Sequence, residues 1–224
     1  MKKVFVLALL FVSLSTIQAQ TVGFRVGANL SNLNFNQDSL SRLGITKEGI
    51  LGLALAIPIE FSVHKNISIQ TELGFLQKGF KSVQSVRAGG STVVNELRNY
   101  TNYATLPVMF KFHTAGSFVQ AYVNIGPDAA FAVSAKTSGT TTNGTTATEV
   151  SNDVNLEGSR RFSIGIQAGG GVKLILGKAA LVLDGRFLSD LNEAQNVYNT
   201  VEGLRTQAAT PQSWMTSLGI VFAL

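Results

Sequence analysis

The chain has no cysteine, two histidines, one tryptophan and four prolines, and only 14% of its 224 residues are charged. Without cysteine there is neither a disulfide nor a thiolate metal site. His64 and His113 are widely separated and no acidic spacing resembles a calcium loop, so no metal ligand set is expected. The glycine runs lack Gly-Lys-Ser/Thr and a strand-to-helix context, so no nucleotide or other cofactor is expected either. Long apolar runs are also missing. Hydrophobic residues make up 45% of the chain, yet beyond its N-terminus no stretch approaches the ~20 residues of a spanning helix. An apolar chain without such a helix suits a transmembrane β-barrel, in which only every second strand residue faces lipid.

The N-terminus carries an export address. Lys2 and Lys3 precede the apolar run Val4 to Val12, and the small, polar stretch Ser13 to Gln20 offers Ile17-Gln18-Ala19 for cleavage. The expected organisation is a signal peptide, residues 1–20, and one barrel domain, residues 21–224. Loss of Lys2 and Lys3 takes the 18 basic residues to 16 against 13 acidic ones, so the formal charge falls from +5 to about +3. So small a balance gives no reason to expect nucleic acid.

Period-two alternation, the mark of a strand, recurs in eight segments. Phe24, Val26, Ala28 and Leu30 alternate with Arg25, Gly27 and Asn29; Leu51 to Phe61 alternates with Gly52 to Glu60; Ile67 to Phe75 alternates with Ser68 to Gly74. Ala104 to Phe112, Val119 to Gly126, Phe162 to Leu174 and Leu181 to Phe187 follow suit, and Trp214, Thr216, Leu218, Ile220, Phe222 and Leu224 form the apolar face of the last. Each is about as long as a tilted spanning strand, roughly 9 to 11 residues. Connections after the second, fourth and sixth segments are tight, and the others are long and polar. That sorting predicts an all-β, eight-stranded antiparallel up-and-down transmembrane barrel with short periplasmic turns and long outer loops. A soluble sandwich has no reason to sort its loops this way. Pro58 and Pro107 are expected at bulges, because proline cannot donate to a ladder. Gly169, Gly170 and Gly171 predict sharp coiling or room for a bulky lumen neighbour.

Gly23-Phe24-Arg25-Val26-Gly27-Ala28-Asn29-Leu30-Ser31, Gln70 to Phe80, Tyr103 to Lys111 and Asn124-Ile125-Gly126-Pro127 resemble the PorT-like outer-membrane β-barrel proteins of Bacteroidetes. The resemblance spans the mature chain and implies location in the cell outer membrane and an accessory role in protein secretion. Ser217-x-Gly219-x-x-Phe222-x-Leu224 is similar to the C-terminal signal read by the barrel-assembly machinery, with Leu224 where an aromatic is usual.

An eight-stranded barrel is just wide enough to be filled by its own side chains. The inward set Arg25, Glu60, Glu72, Lys111, Lys173, Asp184 and Arg186 is therefore expected to form a salt-bridge network that plugs the lumen, since charges away from bulk water need partners. The same residues could line a proton or ion path. A catalytic triad needs a nucleophile, a histidine and an acid within reach, but His64 and His113 fall in turns without an organised serine, so no catalytic residue is expected. Function should lie in the loops. Lys136 to Thr148 reads as a low-complexity, mobile tip, Asn143-Gly144-Thr145 as a turn rather than a glycosylation site, and Asp190-Leu191-Asn192 as a turn opening the last loop. Lys78, Lys81 and Arg87 read as loop cations able to meet lipopolysaccharide phosphates, or simply as solvated charges. The expected partners are outer-membrane lipid and lipopolysaccharide, the barrel-assembly machinery and other envelope proteins. The expected role is structural or interactive; a solute-transport barrel and a lipid-modifying enzyme are the alternatives.

Overall fold

The computed structural model describes residues 21–34, 45–88, 91–143, 146–156, 161–192 and 210–224. The export signal, the Gly144-Thr145 tip and most of the first and last loops lie outside the described residues, and of Arg87 only the backbone is described. The strands are β1 (Thr21–Asn34), β2 (Ile45–His64), β3 (Ile67–Ala88), β4 (Ser91–His113), β5 (Val119–Asn143), β6 (Thr146–Asp153), β7 (Phe162–Leu176), β8 (Ala179–Asp190) and β9 (Thr210–Ala223). Neighbours pair antiparallel in the order β4-β3-β2-β1-β9-β8-β7-β5, and β4 also pairs with β5, which closes an eight-stranded ring. β6 stands outside the ring and folds back on the upper part of β5.

Thr21 pairs with Ala223, so the start of β1 and the end of β9 share a rim with the tight turns. The turn between β7 and β8 is two residues long and opens with Gly177 at φ 71°, the conformation a primed hairpin turn asks of its first central residue. At the opposite rim the strands run far beyond the alternating cores read from sequence. β3 and β4 are joined at Ala88 and Ser91 as one long hairpin, and β5 and β6 form another. Two of the expected long loops are thus strands. Their Ser, Thr, Asn and charged residues hide the alternation because neither face of a strand standing above the membrane has to be apolar. Lys136 to Thr148, read as mobile, lies mostly within the second hairpin.

Register shifts between Gly49 and Ala54 on β2 and at Asn102/Tyr103 between β4 and β5 mark where the barrel gives way to these extensions. The first reverses the facing of β2, so Lys47 turns inward over the Phe80 ring, 5.3 Å from its centroid. It also leaves the β3 backbone near Gln77 and Gly79 without its β2 partners. Side chains of β1 reach across instead: Asn29 Nδ2 donates to Gln77 O at 2.9 Å, and Ser31 Oγ accepts from Gly79 N at 2.7 Å and donates to Gly79 O at 3.0 Å. Pro58 and Pro107 do not sit at bulges. Register is the same on either side of each, and the ladder merely loses pairs there.

The outward face is an apolar belt. Phe24, Val26, Leu53, Leu106, Val123, Ile166, Leu183 and Leu218 are all exposed. Aromatic residues bound it, with Phe112, Phe118 and Phe222 toward the turn rim and Phe131, Phe162 and Trp214 toward the loop rim. Trp214 packs on Phe187, ring centroids 4.8 Å apart. Trp214 and Phe222 are about 27 Å apart along β9, which a tilt of roughly 40° shortens to about 20 Å, close to the height of a barrel's lipid-facing band.

Candidate functional site

The inward residues build three layers of charge. Nearest the turn rim, Lys111 Nζ lies 2.9 Å from Glu60 Oε2, donates to Gln70 Oε1 at 3.0 Å and sits 4.1 Å from the centre of the Tyr122 ring; Lys173 Nζ reaches the same Glu60 oxygen at 3.4 Å. The middle layer is the densest. Arg25 forks between Glu72 and Asp184, with Nη1 3.0 Å from Asp184 Oδ1. Arg186 Nη2 lies 2.8 Å from Glu72 Oε1, and its Nε makes an ion contact with Asp184 Oδ1 at 2.6 Å that lacks hydrogen-bond direction. Tyr122 Oη donates to Asp184 Oδ2 at 2.6 Å, and Gln70 donates to Glu72. Two guanidiniums and two carboxylates from β1, β3 and β8 thus form a ring of planar forks, the geometry in which arginine bonds best.

The sequence reading had missed the third layer, toward the loop rim. Lys78, read as a loop cation, lies in the lumen, where its Nζ bridges both oxygens of Asp190 at 2.8 and 3.0 Å and faces the Tyr103 ring at 5.1 Å. Asp190 ends β8, and the chain bends at Leu191 and Asn192 just beyond it. Both could be found by carrying the parity of neighbours onward, from Glu72 by twos to Lys78 and from Asp184 by twos to Asp190. Asp128 of β5, also buried here, lies just past Gly126, where the alternating segment expected from sequence ends. Asn192, beyond β8, accepts from Ile164 N at 2.9 Å and tethers the outgoing chain to β7.

Packing holds the layers in place. A Cβ on Gly171 would lie 2.5 Å from Tyr122 Oη, and one on Gly169 would lie 2.7 Å from Arg186 Cγ. At all three glycines a Cβ would lie closest to a carbonyl oxygen of a neighbouring strand, so the cluster leaves room for the adjoining backbone as well as for bulky lumen side chains. A cavity of about 30 Å³ lies beside Arg25, Glu72 and Gln167, and another of about 10 Å³ beside Glu60, Gln70 and Lys111, spaces for a water or two. Toward the loop rim Leu156 packs on Tyr103, Ala130, Ala132 and Ala135 as an apolar stopper.

His64 and His113 end β2 and β4 at the turn rim, where Asn66 Nδ2 donates to the His113 carbonyl at 2.8 Å. Among the described residues no group of three or more His, Asp or Glu side chains lies close enough to hold a metal ion. Ser217 and Gly219 of the closing strand face the lumen, Gly219 against the Arg25 stem, whereas Phe222 and Leu224 are exposed. Outside the belt, Lys81 of β3 lies 3.1 Å from Glu96 and 3.5 Å from Glu48, and Arg98 is 2.8 Å from Glu96.

No curated protein matches the chain in sequence. Among solved structures, the chain is similar to the outer membrane protein OprG from Pseudomonas aeruginosa (12% identity, TM-score 0.45, 93% of this chain and 98% of that one) and to Neisserial surface protein A (10% identity, TM-score 0.44, 91% and 97%). It is also similar to a major outer membrane protein from Thermus thermophilus (14% identity, TM-score 0.41, 91% and 99%). The family model described as outer membrane protein beta-barrel domain matches residues 18–194, and the chain, an outer-membrane protein, belongs to that family.

Proposed function

We propose that this barrel is non-enzymatic, that its lumen charges are a structural plug, and that it works by interaction through the hairpins raised at its loop rim. The observation that carries this reading is the middle layer, where Arg25, Glu72, Asp184 and Arg186 pair their charges across the lumen beside water-sized cavities. A solute-transport barrel needs a continuous wet lumen. A lipid-modifying enzyme needs a nucleophile and an acid around a histidine, and both histidines belong to turn-rim strand ends. The partners this reading assigns are envelope proteins at the β3–β4 and β5–β6 hairpins, lipopolysaccharide phosphates at Lys81 and Arg98, and the barrel-assembly machinery at Ser217, Gly219, Phe222 and Leu224. An accessory role in protein secretion follows from the PorT-like resemblance.

The purified protein in planar bilayers is expected to give no unitary current steps, and ohmic single-channel currents would overturn the plug. Crosslinking in the native membrane, with and without the β5–β6 hairpin, is expected to capture a partner that the shortened protein loses. An unchanged set of partners would refute the role given to that hairpin.

A further inference from the structure

The loop-side layer does not balance. Lys78 brings one positive charge, and Asp190, which it grips through both oxygens, brings one negative charge. Asp128 adds a second negative charge. It is 1% exposed, and neither of its carboxylate oxygens has a hydrogen-bond partner among the described residues. Its cross-strand neighbours explain why: Pro107 on β4 and Gly165 on β7 have no polar side chain to offer. The charges that reach Asp128 are Lys78, which attracts it, and Asp190 and Glu72, which repel it; the Gln167 amide lies near without hydrogen-bond geometry.

Asp128, Gly165 and Asp190 fall in one cross-strand row, Gly165 pairing with both acids. A Cβ on Gly165 would come within 3.2 Å of Asp190 Oδ1, so the glycine keeps the space between the carboxylates open. The middle layer, two guanidiniums against two carboxylates, has no spare charge to lend. The turn-side surplus of Lys173 lies beyond that layer. A buried carboxylate without partner or countercharge is strongly disfavoured. Among the described residues of this layer two acids share one ammonium and lack a single unit of positive charge, the inward Lys47 lying over the Phe80 ring instead, and two carboxylates are too few to hold a divalent metal well.

We infer that Asp128 binds one monocation, a proton or an alkali ion, which completes the Lys78–Asp190 pair as a neutral cluster. The site is part of the plug but separate from the role proposed for the hairpins. It makes the barrel's cohesion responsive to the medium at its loop rim.

Trp214, the chain's one tryptophan, reports unfolding of the mature protein in detergent micelles by its fluorescence. The urea unfolding equilibrium is followed across pH, and separately across lithium, sodium and potassium chloride against N-methylglucamine chloride at fixed ionic strength. For the wild-type chain the folding constant is expected to rise as the occupant is added, approaching tenfold per tenfold increase above its dissociation constant. In Asp128→Asn and in Asp190→Asn one acid faces one ammonium, so the part of this dependence that distinguishes the wild-type chain should be lost in both. A response to pH alone identifies a proton, and a response to one alkali ion identifies that ion. Should Asp190→Asn fail to fold, infrared spectroscopy of wild type and Asp128→Asn decides. A protonated-carboxyl band, or a carboxylate band moved by the alkali ion, must be present in the first and absent in the second. A wild-type chain indifferent to both pH and cations, or variants that keep its response, would overturn the site.

Discussion

The two faces of β8 obey opposite rules. Outward, Leu181, Leu183 and Phe187 meet lipid, which asks only that a side chain be apolar. Inward, Asp184, Arg186 and Asp190 are almost fully buried, and each depends on a named partner on another strand. The outer surface is therefore tolerant and fixed by composition, whereas the lumen is intolerant and fixed by geometry. This inverts the soluble protein, where the apolar interior is the jigsaw.

The sharpest way to break that contrast is to remove one partner of the middle layer. Glu72→Ala strands Arg25 and Arg186 and is expected to cost about 3–5 kcal/mol in urea unfolding, the range for uncompensated buried charge. Arg25→Met with Glu72→Met and its neighbours replaced together should recover most of that loss, because exchanging a whole buried ion cluster for apolar groups is often neutral. The outward face should fail in its own way. Leu218, midway between Trp214 and Phe222 on β9, is expected to lose about 2–4 kcal/mol as Leu218→Arg, the cost of a cation at mid-belt, and almost nothing as Leu218→Ile. If Leu218→Ile proved as damaging as Glu72→Ala, the contrast between faces would be false.

Packing between the layers gives a smaller effect. Gly171→Val places a Cβ 2.5 Å from the Tyr122 hydroxyl and closer still to the Leu183 carbonyl oxygen, so the neighbouring strand as well as the ring must give. Tyr122 would have to leave Asp184, and overpacking of this kind costs about 1–3 kcal/mol. The expected outcome is a lowered urea midpoint for Gly171→Val that the double variant with Tyr122→Phe does not recover, since the ring remains, but that Tyr122→Ala partly does.

The same contrast explains what the sequence made legible. At belt height one face must be apolar, so alternation is visible and the eight ring strands and their facings could be read from it. Arg25, Glu60, Glu72, Lys111, Lys173, Asp184 and Arg186 stood out as the polar half of that alternation. Above the belt lipid no longer imposes a pattern. There Lys78 looked like a loop cation, and Lys136 to Thr148 looked structureless although it lies mostly in paired strand. The bulge between Gly49 and Ala54 also escaped notice, because a shift of one residue turns the face without changing composition. Partnerships such as Lys78 with Asp190 span 112 positions and depend on closure of the ring, which no local pattern encodes.

The hairpins above the belt form a third regime, and the smallest expected effect tests it. On the outward face of β3 and β4, Glu96 accepts from Lys81 and from Arg98 in full view of solvent, and these bonds, Lys81's foremost, hold its carboxyl below the usual carboxylate range. A depressed folded value means that whatever stability Glu96 adds is present above its unfolded value, near pH ~4.3, and is lost as pH falls through the folded one. Exposed pairs contribute little, so Glu96→Gln should leave the urea midpoint at neutral pH unchanged and flatten only the acid limb of the stability curve. The carboxyl itself should still reveal the bonds. Its carbon resonance, followed by NMR in micelles, should titrate below that of an unpaired glutamate and move upward in Lys81→Met more than in Arg98→Met. Equal shifts would mean that the two cations hold Glu96 alike, and no shift in either variant would mean that the cations of the hairpin surface are held by solvent rather than by Glu96.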